Sequence, residues 1–279
     1  MSIRTFIQRH SVVTFFSLAF LISYGTFIVV VGPELLRGEG MGPRDTALVI
    51  PVIVVGVCLV SIALTSIVEG RSGLRDLFSR AGRWRVSVRW YAVALLTCPI
   101  LLLAVLLALS SLISPMFTPA LTFFPLGIVF GLLSGFLEDI GWTGYAFPRM
   151  ALKQSALASS LLLGVLWGLW HTPAEAAPHG VYWLSFFLSF VAIVTAVRVL
   201  IAWVYSNTSS LLLAQVMHAS FSASLLMIAP LHTSLVQEEL RYVVYALVLW
   251  IVVALVVVRY GKGLVRRPEP VKMMEPASK

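Results

Sequence analysis

Eight long apolar runs leave this chain few folds to choose from. They lie near residues 12–32, 46–68, 90–113, 121–148, 156–172, 182–205, 209–229 and 240–258. A run of about 20 apolar residues is what an α-helix needs to cross the ~30 Å hydrocarbon layer of a membrane, where every backbone polar group must be satisfied within its own segment. Most runs are rich in Leu, Val, Ile, Ala and Phe all round, and the short alternating segments of a transmembrane barrel are absent. The expected fold class is therefore all-α, a polytopic transmembrane helical bundle of about eight spans. Composition agrees, since only 11% of residues are charged where a soluble domain would have roughly 25%.

Charge sets the expected orientation. Arg71, Arg75, Arg80, Arg83, Arg85 and Arg89 crowd the connector 69–89, and Arg259, Lys262, Arg266, Arg267, Lys272 and Lys279 fill the tail. Eight spans put these with Arg4, Arg9, Arg149 and Lys153 on one side, and leave Arg37, Arg44 and Arg241 on the other, with Arg198 inside a span. Both termini are accordingly expected in the cytoplasm, in a cell (inner) membrane. The net charge of +8 reads as this topological bias plus attraction to anionic lipid, and nucleic acid is not an expected partner.

The first run follows two arginines but is longer than a signal-peptide core and has no small-residue cleavage site after it, so it reads as a retained anchor. Residues 1–258 are expected to form one membrane domain, followed by a basic, disordered cytoplasmic tail over 259–279. The connector 69–89 sets Leu74, Leu77, Phe78 and Trp84 among its arginines, the pattern of a helix lying on a membrane surface. Cys58 and Cys98 fall within spans without ligand spacing, and read as small core residues.

Ionisable side chains inside spans cost at least ~2.5–3.5 kcal/mol, so each is a functional candidate. They are Glu138, Asp139, His171, Arg198 and His218. At 1.5 Å per residue, Glu138 lies ~15 Å from the cytoplasmic end of its run, His218 ~14 Å and His171 ~22 Å. The carboxylates and histidines are thus expected to meet in a cavity below mid-membrane, open to the cytoplasm. Trp167 and His171, like His218 and Ser222, are spaced i, i+4 and share a helix face. Arg198, about seven residues from the inner end of its span, is expected to snorkel to the interface. Glu175, His179, His232, Glu238 and Glu239 are expected in solvated external loops, and His10 in the cytoplasmic lead.

The segments "EDIGWTGYAFPRM", "LLLGVLWGLWHTP" and "SSLLLAQVMHASFSAS", in this order on the fourth, fifth and seventh runs, resemble the three motifs of the CPBP family. These are intramembrane glutamic endopeptidases related to the type II CAAX prenyl protease and to bacteriocin-immunity proteins, and the resemblance covers about residues 70–230. It places Glu138 at the first motif glutamate, Asp139 at the second and Thr143 at the motif arginine. Trp167 and His171 match the second motif; His218 matches the third, with Ser222 at its asparagine. The resemblance implies that Glu138 and His171 activate a water for attack on a peptide carbonyl, with Asp139 beside them, while His218 and Ser222 stabilise the oxyanion.

The chain is therefore expected to be a bacterial intramembrane endopeptidase. Its substrate would be a membrane-inserted or lipid-anchored protein or peptide, prenylated or a peptide precursor, and membrane lipid is the other expected partner. The alternative is a catalytically impaired member acting as a scaffold or immunity-type protein, as the departures at Asp139, Thr143 and Ser222 suggest. A transporter is less favoured, because neither paired helix breaks nor repeated halves are present. No cofactor is expected: two histidines and an acid can ligate zinc, but there is no HExxH and no visible supporting ligand pattern.

Overall fold

The computed structural model describes residues 2–37, 42–121, 123–172 and 182–265. Each of the eight apolar runs forms a helix: α1 Ser11–Val30, α2 Pro43–Ala81, α3 Val88–Leu112, α4 Phe124–Ala151, α5 Ala156–Trp170, α6 Trp183–Thr208, α7 Leu211–Met227 and α8 Leu235–Tyr260. Six are long and apolar enough to cross a membrane. The other two, α5 and α7, have 15 and 17 residues, ~22 and ~26 Å at 1.5 Å per residue, less than a full hydrocarbon layer. The expected eight spans are thus six long helices and two short ones, and the short ones carry His171 and His218. Glu175, His179 and the tail from Arg266 onward lie outside the described residues.

At one end of the bundle, strand β1 (Ala120–Leu121) pairs antiparallel with β2 (Ile228–Ala229), tying the start of α4 to the end of α7. At the opposite end lie the arginine-rich connector, the α4–α5 turn and the last described residues. There the Leu157 amide donates to the Lys262 carbonyl, and Asn207 Nδ2 donates to the Leu264 carbonyl. The connector is helical as far as Ala81, continuing α2 past a break at Gly70, whose φ of 68° and ψ of −152° suit glycine alone. Beyond the break Leu77 is buried while Phe78 is exposed, the two-faced pattern expected from the sequence.

Buried apolar side chains from all eight helices form one core. Helix α6 runs through its middle and is the most enclosed of the long helices. Close approach around it depends on missing side chains. A Cβ on Gly164 of α5 would stand 2.6 Å from the Thr195 Cα of α6, and one on Gly131 of α4 would stand 2.7 Å from the Ala223 Cβ of α7. Small residues let helix backbones approach where lipid supplies no hydrophobic drive for association.

Gly131→Val is expected to force α4 away from α7 and to lower stability by about 1–3 kcal/mol, as overpacking does. Thermal unfolding in detergent checks this. Gly25→Ala, where an added Cβ meets nothing within 4 Å, is expected to leave the Tm unchanged or slightly raised.

Candidate active site

The site begins with an irregularity in α4. Ser134–Glu138 and Trp142–Ala146 are π-helical turns, with Asp139–Gly141 between them in α-helical form. Each wider turn shifts the helix face, a distortion frequent at functional sites. Arg80 of the connector donates through both Nη atoms to the Gly144 carbonyl of the second turn at 3.2 Å and through Nη1 to the Tyr205 hydroxyl at 2.7 Å. The basic connector is thereby fastened to the distorted turn.

The two adjacent acids face different partners. Glu138, 3% exposed, accepts at Oε2 from the indole Nε1 of Trp142 at 3.2 Å and of Trp167 at 3.1 Å. Asp139, fully buried, accepts at Oδ1 from Arg198 Nη1 at 2.6 Å and from the Thr143 hydroxyl at 2.7 Å. At Oδ2 it accepts from His218 Nδ1 at 3.2 Å. Arg198 Nη1 also donates to Thr143 Oγ1 at 3.1 Å, and its guanidinium lies 4.3 Å from the centre of the Trp167 ring. Charge-assisted bonds of this kind are the strong ones, and in a water-poor interior they hold side chains in fixed positions.

Arg198 does not snorkel. It is 1% exposed and lies within the site. The expectation failed on a helix boundary: α6 continues to Thr208, which puts Arg198 ten residues, ~15 Å, from the helix end, deep enough for its Nη1 to meet Asp139 Oδ1 at 2.6 Å. The same depth count, taken from that later boundary, would have found it. Trp142 was also missed, although its i, i+4 spacing from Glu138 was a readable signal.

His171 caps the C-terminus of α5. Its Nδ1–H donates to the Trp167 carbonyl at 2.8 Å, because a carbonyl can only accept. The neutral ring then has a lone pair at Nε2. His218, held at Nδ1 by Asp139, likewise has Nε2 as its second polar atom. The Trp167 ring packs edge-on to both imidazoles, with centroids 5.5 Å from His171 and 4.8 Å from His218.

Glu138, His171, His218 and Ser222 line one cavity of about 400 Å³. Glu138 and His171 also border a smaller, mostly apolar cavity of about 110 Å³ on the α1–α2 side. The larger cavity runs toward the strand-paired end, where Phe123, Ala229 and Arg241 line it. This corrects the expectation of an opening at the arginine-rich end. There, every residue of α4 from Gly141 to Phe147 is buried, and aromatic packing of Trp142 with Phe15 and of Phe147 with Tyr205 fills the space. Depth counting locates levels along a helix and says nothing about which end is plugged. Glu238 and Glu239, expected in a solvated loop, lie in the first turns of α8 and are half-buried; Glu238 pairs with Arg241 at 3.2 Å. His232 and His10 are exposed, as expected. No group of three or more His, Cys, Asp or Glu suited to a metal ion occurs among the described residues.

Trp167→Phe keeps an aromatic ring, though a smaller one, and deletes one of the two indole donors to the buried Glu138. A hydrogen bond to a charged group contributes about 1.5–3 kcal/mol, and a loss of that size is expected in thermal unfolding. Trp142→Phe should cost a similar amount.

The geometry has a counterpart among known proteins. Residues 120–224, which hold both acids, both histidines, Arg198 and Ser222, match the family model described as type II CAAX prenyl endopeptidase Rce1-like. Within the chain, 98 residues are 32% identical to the CAAX prenyl protease 2 of Methanococcus maripaludis, an alignment covering 31% of this chain and 35% of that protein. The match therefore spans about a third of the relative's length. Through this segment, the chain is similar to type II CAAX prenyl endopeptidases of the Rce1-like kind.

Proposed function

We propose that this protein is an intramembrane endopeptidase that hydrolyses a peptide bond of a membrane-associated substrate. The observation that carries the reading is that Glu138, His171, His218 and Ser222, drawn from three helices, line one cavity. Glu138 and His171 take a proton from a water molecule, and its oxygen attacks the carbonyl carbon of the substrate. Charge develops on the carbonyl oxygen, where Ser222 Oγ–H and His218 Nε2–H are the donors. Donation from Nε2 requires a doubly protonated His218 ring, since Nδ1–H is already committed to Asp139. Collapse of the tetrahedral intermediate breaks the C–N bond, and the proton taken from water passes to the leaving amine. General acid–base transfer contributes typically 10²–10⁴-fold, and preorganised donors in a dry site stabilise the oxyanion.

The similar archaeal protein is named a prenyl protease, and the cavity of this chain lies within an apolar bundle, so a lipid-anchored peptide is the favoured substrate class. The arginine-rich end is the cytoplasmic one on the positive-inside rule. The cavity then runs toward the other face of a cell membrane, and the substrate bond is presented from that side.

The reaction uses no metal. Activity that disappears on chelation, with stoichiometric zinc lost from the purified protein, would overturn this part of the proposal.

With protein reconstituted in vesicles and an internally quenched peptide carrying a farnesylated cysteine as probe, cleavage is expected from the wild type. Glu138→Gln and His171→Ala are expected to lower the rate by about 10²–10⁴-fold, and Ser222→Ala by up to ~10²-fold as a lost oxyanion donor. Wild-type rates in both Glu138→Gln and His171→Ala would refute the catalytic assignment. Full rescue of a deletion strain by Glu138→Ala would favour a scaffold role instead.

A further inference from the structure

Two observations single out Arg198 beyond its pairing with one acid. Its Nη1 serves Asp139 Oδ1 and Thr143 Oγ1 together, while the other oxygen of the same carboxylate holds His218 Nδ1. The carboxylate of Asp139 is thus clamped at one end by α6 and at the other end orients an imidazole on α7. Asp139 itself does not line the cavity, whereas His218 does. Arg198 and Asp139, at 1% and 0% exposure, stand behind the reacting groups.

From this geometry we infer that Arg198 is a positioning residue for His218, acting through Asp139, and that Thr143 is small because a guanidinium from α6 occupies the space beside it. The inference rests on the endopeptidase reading for its catalytic consequence, but its structural core does not. Held in this way, Asp139 offers one lone pair in a fixed direction to Nδ1–H, and that fixes which ring nitrogen of His218 faces the cavity. Asp139 also receives the hydroxyl hydrogen of Thr143, so its orientation is set by three donors from α4, α6 and α7. The Trp167 ring, packed on both the guanidinium and the His218 ring, keeps the two in register. A guanidinium at this place need not come from α6. Thr143 Oγ1 lies 3.1 Å from Arg198 Nη1, so a longer cationic side chain at 143 would bring its own guanidinium to the same carboxylate.

The test uses the full chain in nanodiscs with ¹⁵N-labelled histidine, and compares wild type, Arg198→Met, Arg198→Lys and the exchange Thr143→Arg/Arg198→Met. Five histidines are present, and His218→Gln assigns the signal of interest. In the wild type the His218 signals should report a protonated Nδ1 in slow exchange. Arg198→Met is expected to bring the Nδ1 proton into fast exchange or to remove it, and the exchange variant to restore it. On the farnesylated quenched peptide, Arg198→Met should lose at least ~10² in rate with little change in KM, as expected when a preorganised donor is misplaced. The exchange variant should recover most of that loss, and Arg198→Lys, which keeps the charge but not the planar group packed on Trp167, should fall between. Unchanged His218 signals in Arg198→Met, or in Arg198→Lys should the methionine variant not fold, would overturn the positioning role whether or not the probe is cleaved. Restored His218 signals with a wild-type protein that cleaves nothing would support the positioning role and count against the endopeptidase reading.

Discussion

The ion pair between Arg198 and Asp139 is the constraint around which the bundle is arranged. A guanidinium and a carboxylate buried within apolar helices need each other, because removing one partner strands a charge at a cost of ~3–5 kcal/mol; here both oxygens of Asp139 are hydrogen-bonded, while Arg198 bonds through Nη1 alone and its Nε and Nη2 make no hydrogen bond, the guanidinium lying against the Trp167 ring. The pair therefore fixes more than a distance. It requires α4 and α6 to face each other at one level, places Thr143 between them, and brings His218 of α7 to the second carboxylate oxygen. The fourth element, α5, closes on the same point because Gly164 and Gly168 let its backbone approach α6, so that Trp167 covers the guanidinium. Rotation of any of the four helices would break at least one of these contacts.

The two neighbouring acids can then have separate duties. Consecutive residues on an α-helix point ~100° apart, so Glu138 and Asp139 could not both face the same partner even in a regular α4. Flanking π turns adjust each one to its own surroundings. Asp139 is consumed by the clamp and has no accessible surface. Glu138 receives two indole N–H groups on a single oxygen, Oε2, and borders both cavities. One acid holds the frame while the other meets whatever enters. The distorted turn is in turn steadied by Arg80 from the surface connector, which donates to its Gly144 carbonyl.

Much of this was legible in the chain alone, for definite physical reasons. Apolar runs had to become helices, and did. Glu138, His171, His218 and Ser222 were picked out because ionisable groups are costly in a span and their spacings put them on shared faces; all four border the larger cavity. What escaped depended on a few residues of helix length or on packing between helices. Ending α6 three residues early turned Arg198 from a buried anchor into a snorkelling side chain. Starting α8 at residue 240 instead of Leu235 sent Glu238 and Glu239 into solvent. The direction of the cavity hangs on Trp142, Tyr145 and Phe147 filling one end, and no periodicity within α4 reveals what its aromatic rings meet on α1 and α6. Thr143 looked like a deficiency because the cation it serves comes from a helix more than fifty residues away.

The short helix α5 shows fold and chemistry resting on the same bond. A helix that stops inside an apolar bundle leaves its last four carbonyls without amide partners, and each must be satisfied by something else. Here the Gly168 carbonyl accepts from the His171 amide, Leu169 from the Tyr24 and Thr172 hydroxyls, and Trp170 from the Ser23 hydroxyl at 3.5 Å. The remaining one, Trp167, accepts from the imidazole Nδ1–H of His171. Helix α1 therefore contributes two of the caps, and Ser23 does so from the buried face that it shares with Phe15 and Ala19. The proton that ends the helix is also the proton that settles the tautomer, and it leaves Nε2 as the polar atom His171 can offer to the cavity. Extending α5 by another turn would replace that ring bond with an ordinary amide bond and free the imidazole to choose either tautomer. His171 stands where the helix ends, and the ring bond that satisfies the Trp167 carbonyl there leaves Nε2 free to act as a base.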